Sequence, residues 1–149
     1  QELKNYKKVT EKIISERTKK SIDTTGDLKK ILVPLVKVKD ENKFLAQVFQ
    51  SIRIEVNDEL EVIRTLLSNS SKYIKKGGRI VCISYHSLED RIVKKFIQNG
   101  GYNNEVESDF YGNKNVIFKK IGKMITPSSE EIKLNNRSRS AKLRIAEKI

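Results

Sequence analysis

The sequence has 149 residues, about one domain's worth, with 31 Lys and Arg against 19 Asp and Glu, a net charge of +12 and a pI near 9.8. Hydrophobic residues make up 37% and charged ones 34%, but the apolar residues recur in periodic runs, which excludes a disordered chain and points to a globular one with a charged surface. No apolar run approaches the ~20 residues of a membrane span. One cysteine, Cys82, and one histidine, His86, exclude an internal disulfide and come close to excluding a structural zinc site built from one chain.

The lone cysteine fits a reducing, cytoplasmic setting. The positive charge has two readings. Polyanions are natural partners, because each neutralised phosphate releases condensed counterions; a lysine-rich surface of the kind found with A/T-rich genomes is the other. A membrane-surface role is disfavoured, since no helix pairs a basic face with exposed Trp or Phe. The first residue is Gln1, and the chain is read as a piece of something longer.

In chain order, Leu3, Tyr6, Val9, Ile13 and Ile14 have helical spacing and predict an amphipathic helix to about Lys19. Thr24 with Asp27 three residues on forms a capping box for a second helix, which Pro34 should end or bend. The charged connector Lys37 to Lys43 suggests a boundary, dividing residues 1–43 from 44–149. From Phe44 to Ile74 an apolar stripe of period near 3.6 predicts one long helix, with Gln50, Arg53 and Asn57 on another face.

Gly77-Gly78 supply a stop, and Arg79 to Ser84 (RIVCIS) is an apolar run of strand length, expected to be covered on both faces. A further helix opens at Ser87, read as its N-cap with Asp90 as the capping-box acid, and runs to Gly100-Gly101. Asn99 to Asn115 is read as a loop, whose Tyr102, Phe110 and Tyr111 could stack bases or tuck into the loop itself. Val116 to Ile121 predicts a strand, Ser129 to Leu134 a short capped helix, Asn135 to Ser140 (NNRSRS) a basic loop, and Ala141 to Lys148 a closing strand. A buried strand fed by one helix and followed by another is the unit of an open α/β sheet, and a single such unit resembles the last third of one.

Four stretches together resemble the 16S rRNA (cytosine-N4)-methyltransferase family, often called MraW. They are VFQSIRIEVNDELEVI (Val48 to Ile63), GGRIVCISYHSLEDRIVKKF (Gly77 to Phe96), ITPSSEEI (Ile125 to Ile132) and NRSRSAKLRIAEK (Asn136 to Lys148). The second is the most specific, and Thr24 to Leu28 resembles the family's helical insert. Tyr85 departs from the Phe or similar residue usual at that place.

The resemblance implies an α/β fold: the last strands of a seven-stranded, Rossmann-like methyltransferase sheet plus part of an α-helical insert domain. It implies an S-adenosylmethionine-dependent enzyme that N4-methylates a cytidine in the decoding region of 16S rRNA on the small ribosomal subunit. The family's methyl-donor segment, a glycine-rich loop ending Gly-Gly-His, has no counterpart here, so no cofactor-binding or catalytic residue carries over. The chain alone is expected to be inactive. A non-catalytic basic RNA-binding module is the alternative, and a scaffold piece with no RNA role a third.

The candidate site residues follow. Ser84, Tyr85, His86 and Ser87 lie after the strand's carboxyl end, where ligands bind in open α/β sheets, and are expected to line a substrate pocket. His86 could hydrogen-bond a flipped base or serve as a fixed structural residue that organises the cap. Glu89 and Asp90 in a first helical turn argue against a phosphate cradle there, and Arg91 could pair with either acid or reach RNA. Arg137 and Arg139, both on one side of an extended segment, could grip consecutive phosphates or belong to a mobile loop. Arg53 and Asn57 are RNA-contact candidates whose other readings are a solvated face or a surface meeting the rest of a larger domain. An unpaired edge at Ile80 to Ile83, or the long helix's stripe, is expected to drive self-association.

Overall fold

A computed structural model describes residues 3, 5–100 and 116–149. The chain divides into two compact units, Gln1–Asn57 and Asp58–Ile149. The first holds helices α1 (Tyr6–Arg17), α2 (Thr25–Leu32) and α3 (Glu41–Val56), with 3-10 turns at Val33–Leu35 and Val38–Asp40. The second holds α4 (Glu59–Tyr73), β1 (Arg79–Ser84), α5 (Ser87–Asn99), β2 (Phe118–Ile125), α6 (Ser129–Leu134), a 3-10 turn at Asn136–Ser140, and β3 (Lys142–Lys148).

In the first unit the capping box forms as the sequence predicts. Thr24 Oγ1 accepts from the Asp27 N–H at 3.1 Å, and Asp27 Oδ2 accepts from the Thr24 N–H at 3.2 Å. Helix α2 stops before Pro34, which sits in the following 3-10 turn because its ring cannot continue an α-helix. Val9, Leu32, Phe44, Leu45 and Val48 make the core.

The helix predicted over Phe44 to Ile74 is two helices. Asp58 takes a left-handed conformation (φ 50°, ψ 36°), and its carbonyl accepts from the N–H groups of both Glu61 and Val62 to restart the chain as α4. Asp tolerates that region better than most residues, so the break needs no glycine. The apolar stripe serves two cores: Phe44, Leu45 and Val48 belong to the first, Leu60, Ile63 and Leu67 to the second. Compactness therefore divides the chain at Asn57, later than the charged connector ending at Lys43.

The second unit is built on an antiparallel sheet of order β1-β3-β2. Ala146 of β3 stands opposite Ile80 of β1 and Lys120 of β2. Helices α4 and α5 supply Leu67, Ile92, Val93, Phe96 and Ile97 to a core shared with Phe118 and Ala146. The Phe96 and Phe118 rings meet with centroids 5.6 Å apart, tilted by 46°.

Strand β1 has the bounds the sequence predicts, but one face only is covered. Ile80 and Cys82 pack against the core, whereas Val81 and Ile83 are 57% and 58% exposed. A strand with helices on one face buries alternate side chains and leaves the others bare. Among the described residues β3 is its only strand neighbour, so β1 is an edge. Strand β2 starts at Phe118 and continues past Ile121 to Ile125, because a bulge with Gly122 at φ 64° shifts the register rather than ending the pairing. Of the predicted loop at Asn99 to Asn115, Asn99 closes α5 and Gly100 caps it at φ 72°; Tyr102, Phe110 and Tyr111 lie outside the described residues.

Candidate substrate site at the carboxyl end of the first strand

β1 delivers Ser84, Tyr85, His86 and Ser87 to one short turn that opens α5. Ser84 is buried, Tyr85 and Ser87 are exposed and His86 is half-buried. The cap is displaced by one residue from the sequence expectation: His86, not Ser87, is the N-cap, and Glu89, not Asp90, is its acid partner. His86 Nδ1 accepts from the Leu88 N–H at 3.3 Å, and Glu89 Oε2 accepts from the backbone N–H groups of both Tyr85 and His86 at 3.1 Å. An imidazole nitrogen that accepts cannot also carry the proton, so in this arrangement the ring hydrogen sits on Nε2. The ring is thereby oriented by its own helix.

Asp90, freed from the cap, does something else. Arg144 of β3 donates from Nε to Asp90 Oδ1 at 2.7 Å and from Nη2 to Oδ2 at 3.0 Å, with Lys142 Nζ at 3.4 Å. The Arg144 and Asp90 side chains are 14% and 11% exposed, a bidentate pair largely shielded from water. The Arg144 hydrogen bonds hold the Asp90 carboxyl below the usual carboxylate range, against the opposing effect of burial. The pair fastens the first turn of α5 to β3, and so fixes the turn that carries His86. Sequence reading missed it, since its partners are 54 residues apart; the alternation of basic residues at Lys142 and Arg144 on one face of β3 is the signal that was available.

The other candidates fall elsewhere. Arg91 is exposed on α5, and Asp90 takes Arg144 as its partner. Arg137 and Arg139 are exposed, but they lie in a 3-10 turn rather than an extended segment. At three residues per turn, positions two apart point about 240° apart, so the two arginines do not share a side. The turn forms because Asn135 Oδ1 accepts from the Arg137 N–H at 3.1 Å and Ser138 is buried. Arg53 lies in the last turn of α3 and Asn57 caps it, both exposed.

The Gly77-Gly78 turn does not fit S-adenosylmethionine. Gly77 N–H donates to the Lys148 carbonyl and Lys148 N–H to that of Gly78, both at 2.8 Å. A Cβ on Gly78 would meet Ile74 Cγ2 and the Lys75 carbonyl at 2.8 Å. These glycines close a crowded turn that ties the start of β1 to the end of β3, and their amides are not turned toward a ligand.

The profile of the MraW methylase family matches residues 1–149. Ribosomal RNA small subunit methyltransferase H of Flavobacterium johnsoniae is 54% identical over 148 residues, 99% of this chain and 49% of the relative. The protein of the same name from Christiangramia forsetii is 51% identical with the same coverage, and that of Bacteroides thetaiotaomicron 47%. The chain thus spans about half the length of the curated relatives it matches. With the whole of its length aligned and half its residues shared, this chain belongs to the MraW methylase family.

Proposed function

We propose that this chain is the part of a small-subunit rRNA methyltransferase that forms the substrate side of the active site, in an enzyme that uses S-adenosylmethionine to N4-methylate a cytidine in the decoding region of 16S rRNA. The observation that carries it is the match along the whole chain to relatives named for rRNA methylation, with the most specific motif, Gly77 to Phe96, forming β1, a capped turn and the start of α5. In this reading residues 1–43 belong to a helical insert and 44–149 to the carboxy-terminal part of a seven-stranded catalytic sheet. Ser84, Tyr85, His86 and Ser87 line the base pocket, with His86 a positioning residue, and Arg53, Asn57, Arg91, Arg137 and Arg139 meet the RNA. The Gly77-Gly78 turn does not fit the methyl donor, so in this reading the chain alone is inactive, and no step is assigned to it.

Methyl transfer tests this. A polypeptide joining the chain to the half that its relatives carry beyond the match is incubated with small ribosomal subunits and labelled S-adenosylmethionine. Nucleoside mass spectrometry should then find N4-methylcytidine; methylation of another base, or none, overturns the reading. The chain alone should show no incorporation and no saturable donor binding by calorimetry. Its β1 edge, with Val81 and Ile83 bare, should make it self-associate, and a monomer in light scattering at high concentration removes that part.

A further inference from the structure

A groove opens between the carboxy-terminal half of α5 and the sheet face formed by β2 and β3. Lys94 reaches it from α5, and Lys120 and Lys123 from β2, around a lining that includes Ile97, Ile121 and Met124. Lys120 precedes and Lys123 follows the irregular stretch at Gly122, where the register shifts between Ile121 and Ile125, and both line the groove.

All three lysines are exposed, and among the described residues none of the three is in an ion pair. Arg144 also borders the groove, but its charge is matched by Asp90. Ile125 of β2 and Ile83 of β1 both stand opposite Leu143, so the carboxyl ends of the two strands are level and about 10 Å apart across β3. Lys123 and Met124 therefore lie toward the same end of the sheet as Ser84, two strands away.

We propose that this groove is a phosphate-binding subsite, where Lys94, Lys120 and Lys123 hold the RNA backbone beside the base site at the end of β1. The inference rests on the methyltransferase reading and gives its substrate a second point of attachment. Ammonium groups suit that task, because a point charge holds a phosphate in register without selecting a base. A chain of net charge +12 favours a polyanion throughout, and these three cations face one cleft instead of being spread over a surface. None of them stood among the RNA-contact candidates read from the sequence.

Fluorescence anisotropy of the full chain with a fluorescein-labelled RNA stem–loop, over a series of salt concentrations, tests the groove. The triple variant Lys94→Gln, Lys120→Gln, Lys123→Gln is compared with Lys7→Gln, Lys8→Gln, Lys39→Gln, which removes the same charge from exposed positions of the first unit. Circular dichroism should show both folded. The slope of log affinity against log salt should fall in magnitude by about 2 for the groove variant, from ~0.7 per lost contact, and hardly at all for the control. Equal slopes for the two variants overturn the subsite alone. Failure of the unaltered chain to bind RNA overturns the subsite together with the RNA-contact part of the function above, while the methyl-transfer test still decides the activity. Polyglutamate displacing the RNA as well as an unlabelled RNA of equal charge would assign the groove to an acidic polypeptide and overturn the proposal.

Discussion

Among the described residues, the second unit has one ion pair of a kind that the first does not. In the first, Glu16 receives Lys12 from its own helix and Lys19 from the turn that follows it, and Lys29 reaches Glu41; each pair has a lysine at least 39% exposed. In the second, Asp90 and Arg144 come from elements far apart in the chain and are largely withdrawn from water. The Glu16 pairs follow from local spacing, and all three leave a lysine well exposed to water, so they add little to stability. The second kind forms only when α5 has docked on β3, and each partner then depends on the other to offset its desolvation. The difference separates ion pairs that decorate a fold from one that specifies it.

Breaking the buried pair is the largest effect expected. Asp90→Ala leaves the Arg144 guanidinium shielded and without its carboxylate, and should cost about 3–5 kcal/mol in denaturant unfolding. Replacing both, as Asp90→Leu with Arg144→Met, should recover most of that loss, and a double-mutant cycle measures the coupling. The pair also sets a pH dependence. Unfolded Asp90 takes a proton near pH 3.9, whereas the folded carboxyl, held low by Arg144, takes one only at lower pH. The unfolded state thus binds more protons in between, and stability is complete above about pH 5 and lost as pH falls through the folded value. Asp90→Asn should flatten that acid limb; an unchanged limb would mean that other carboxylates produce it.

Much that was legible in the sequence was local. The Thr24–Asp27 box, the bounds of β1 and the extent of α6 depend on residues within a few positions of one another, and the structure has them where the sequence places them. The antiparallel pairing of β2 with β3 joins residues distant in the chain and does not follow from spacing. The break at Asp58 escaped because an apolar stripe of helical period can run through a kink when both sides still have a core to face. The extended reading of Arg137 and Arg139 failed because Asn135 offers its side chain to the following amides, and alternation of Arg with Ser says nothing about that competition. The basic groove was illegible for a topological reason: Lys94 and Lys120 meet only after β2 has paired with β3 beneath α5.

A smaller effect is expected at His86, where helix capping and chemistry can be separated. His86→Ala removes the acceptor for the Leu88 amide and should cost about 1 kcal/mol, as loss of an N-cap side chain usually does. His86→Asn supplies another short acceptor and should restore stability to within a few tenths of a kcal/mol. In the joined polypeptide the Asn variant should keep most of its turnover, since the role assigned to the ring is positioning. A stable Asn variant that has lost methyl transfer would make the imidazole itself part of the chemistry.

The smallest effect belongs to the exposed pairs of the first unit. Glu16 accepts from Lys12 at 2.9 Å and Lys19 at 3.1 Å, and these hydrogen bonds, Lys12 first, hold its carboxyl below its ordinary range. A lowered carboxyl would contribute stability above the unfolded value and lose it in acid. Here both lysines keep their water, so what attraction provides is offset by the side-chain freedom that two long cations give up to hold one position. Glu16→Gln should therefore leave the unfolding midpoint unchanged within error at moderate salt, and at low salt lower it by a barely resolvable amount, because screening is then weakest. Asp90→Ala should keep its effect across the same salt series, being shielded from the ions that screen Glu16. If the two variants responded alike to salt, the contrast between the units would be one of distance along the chain and not of burial.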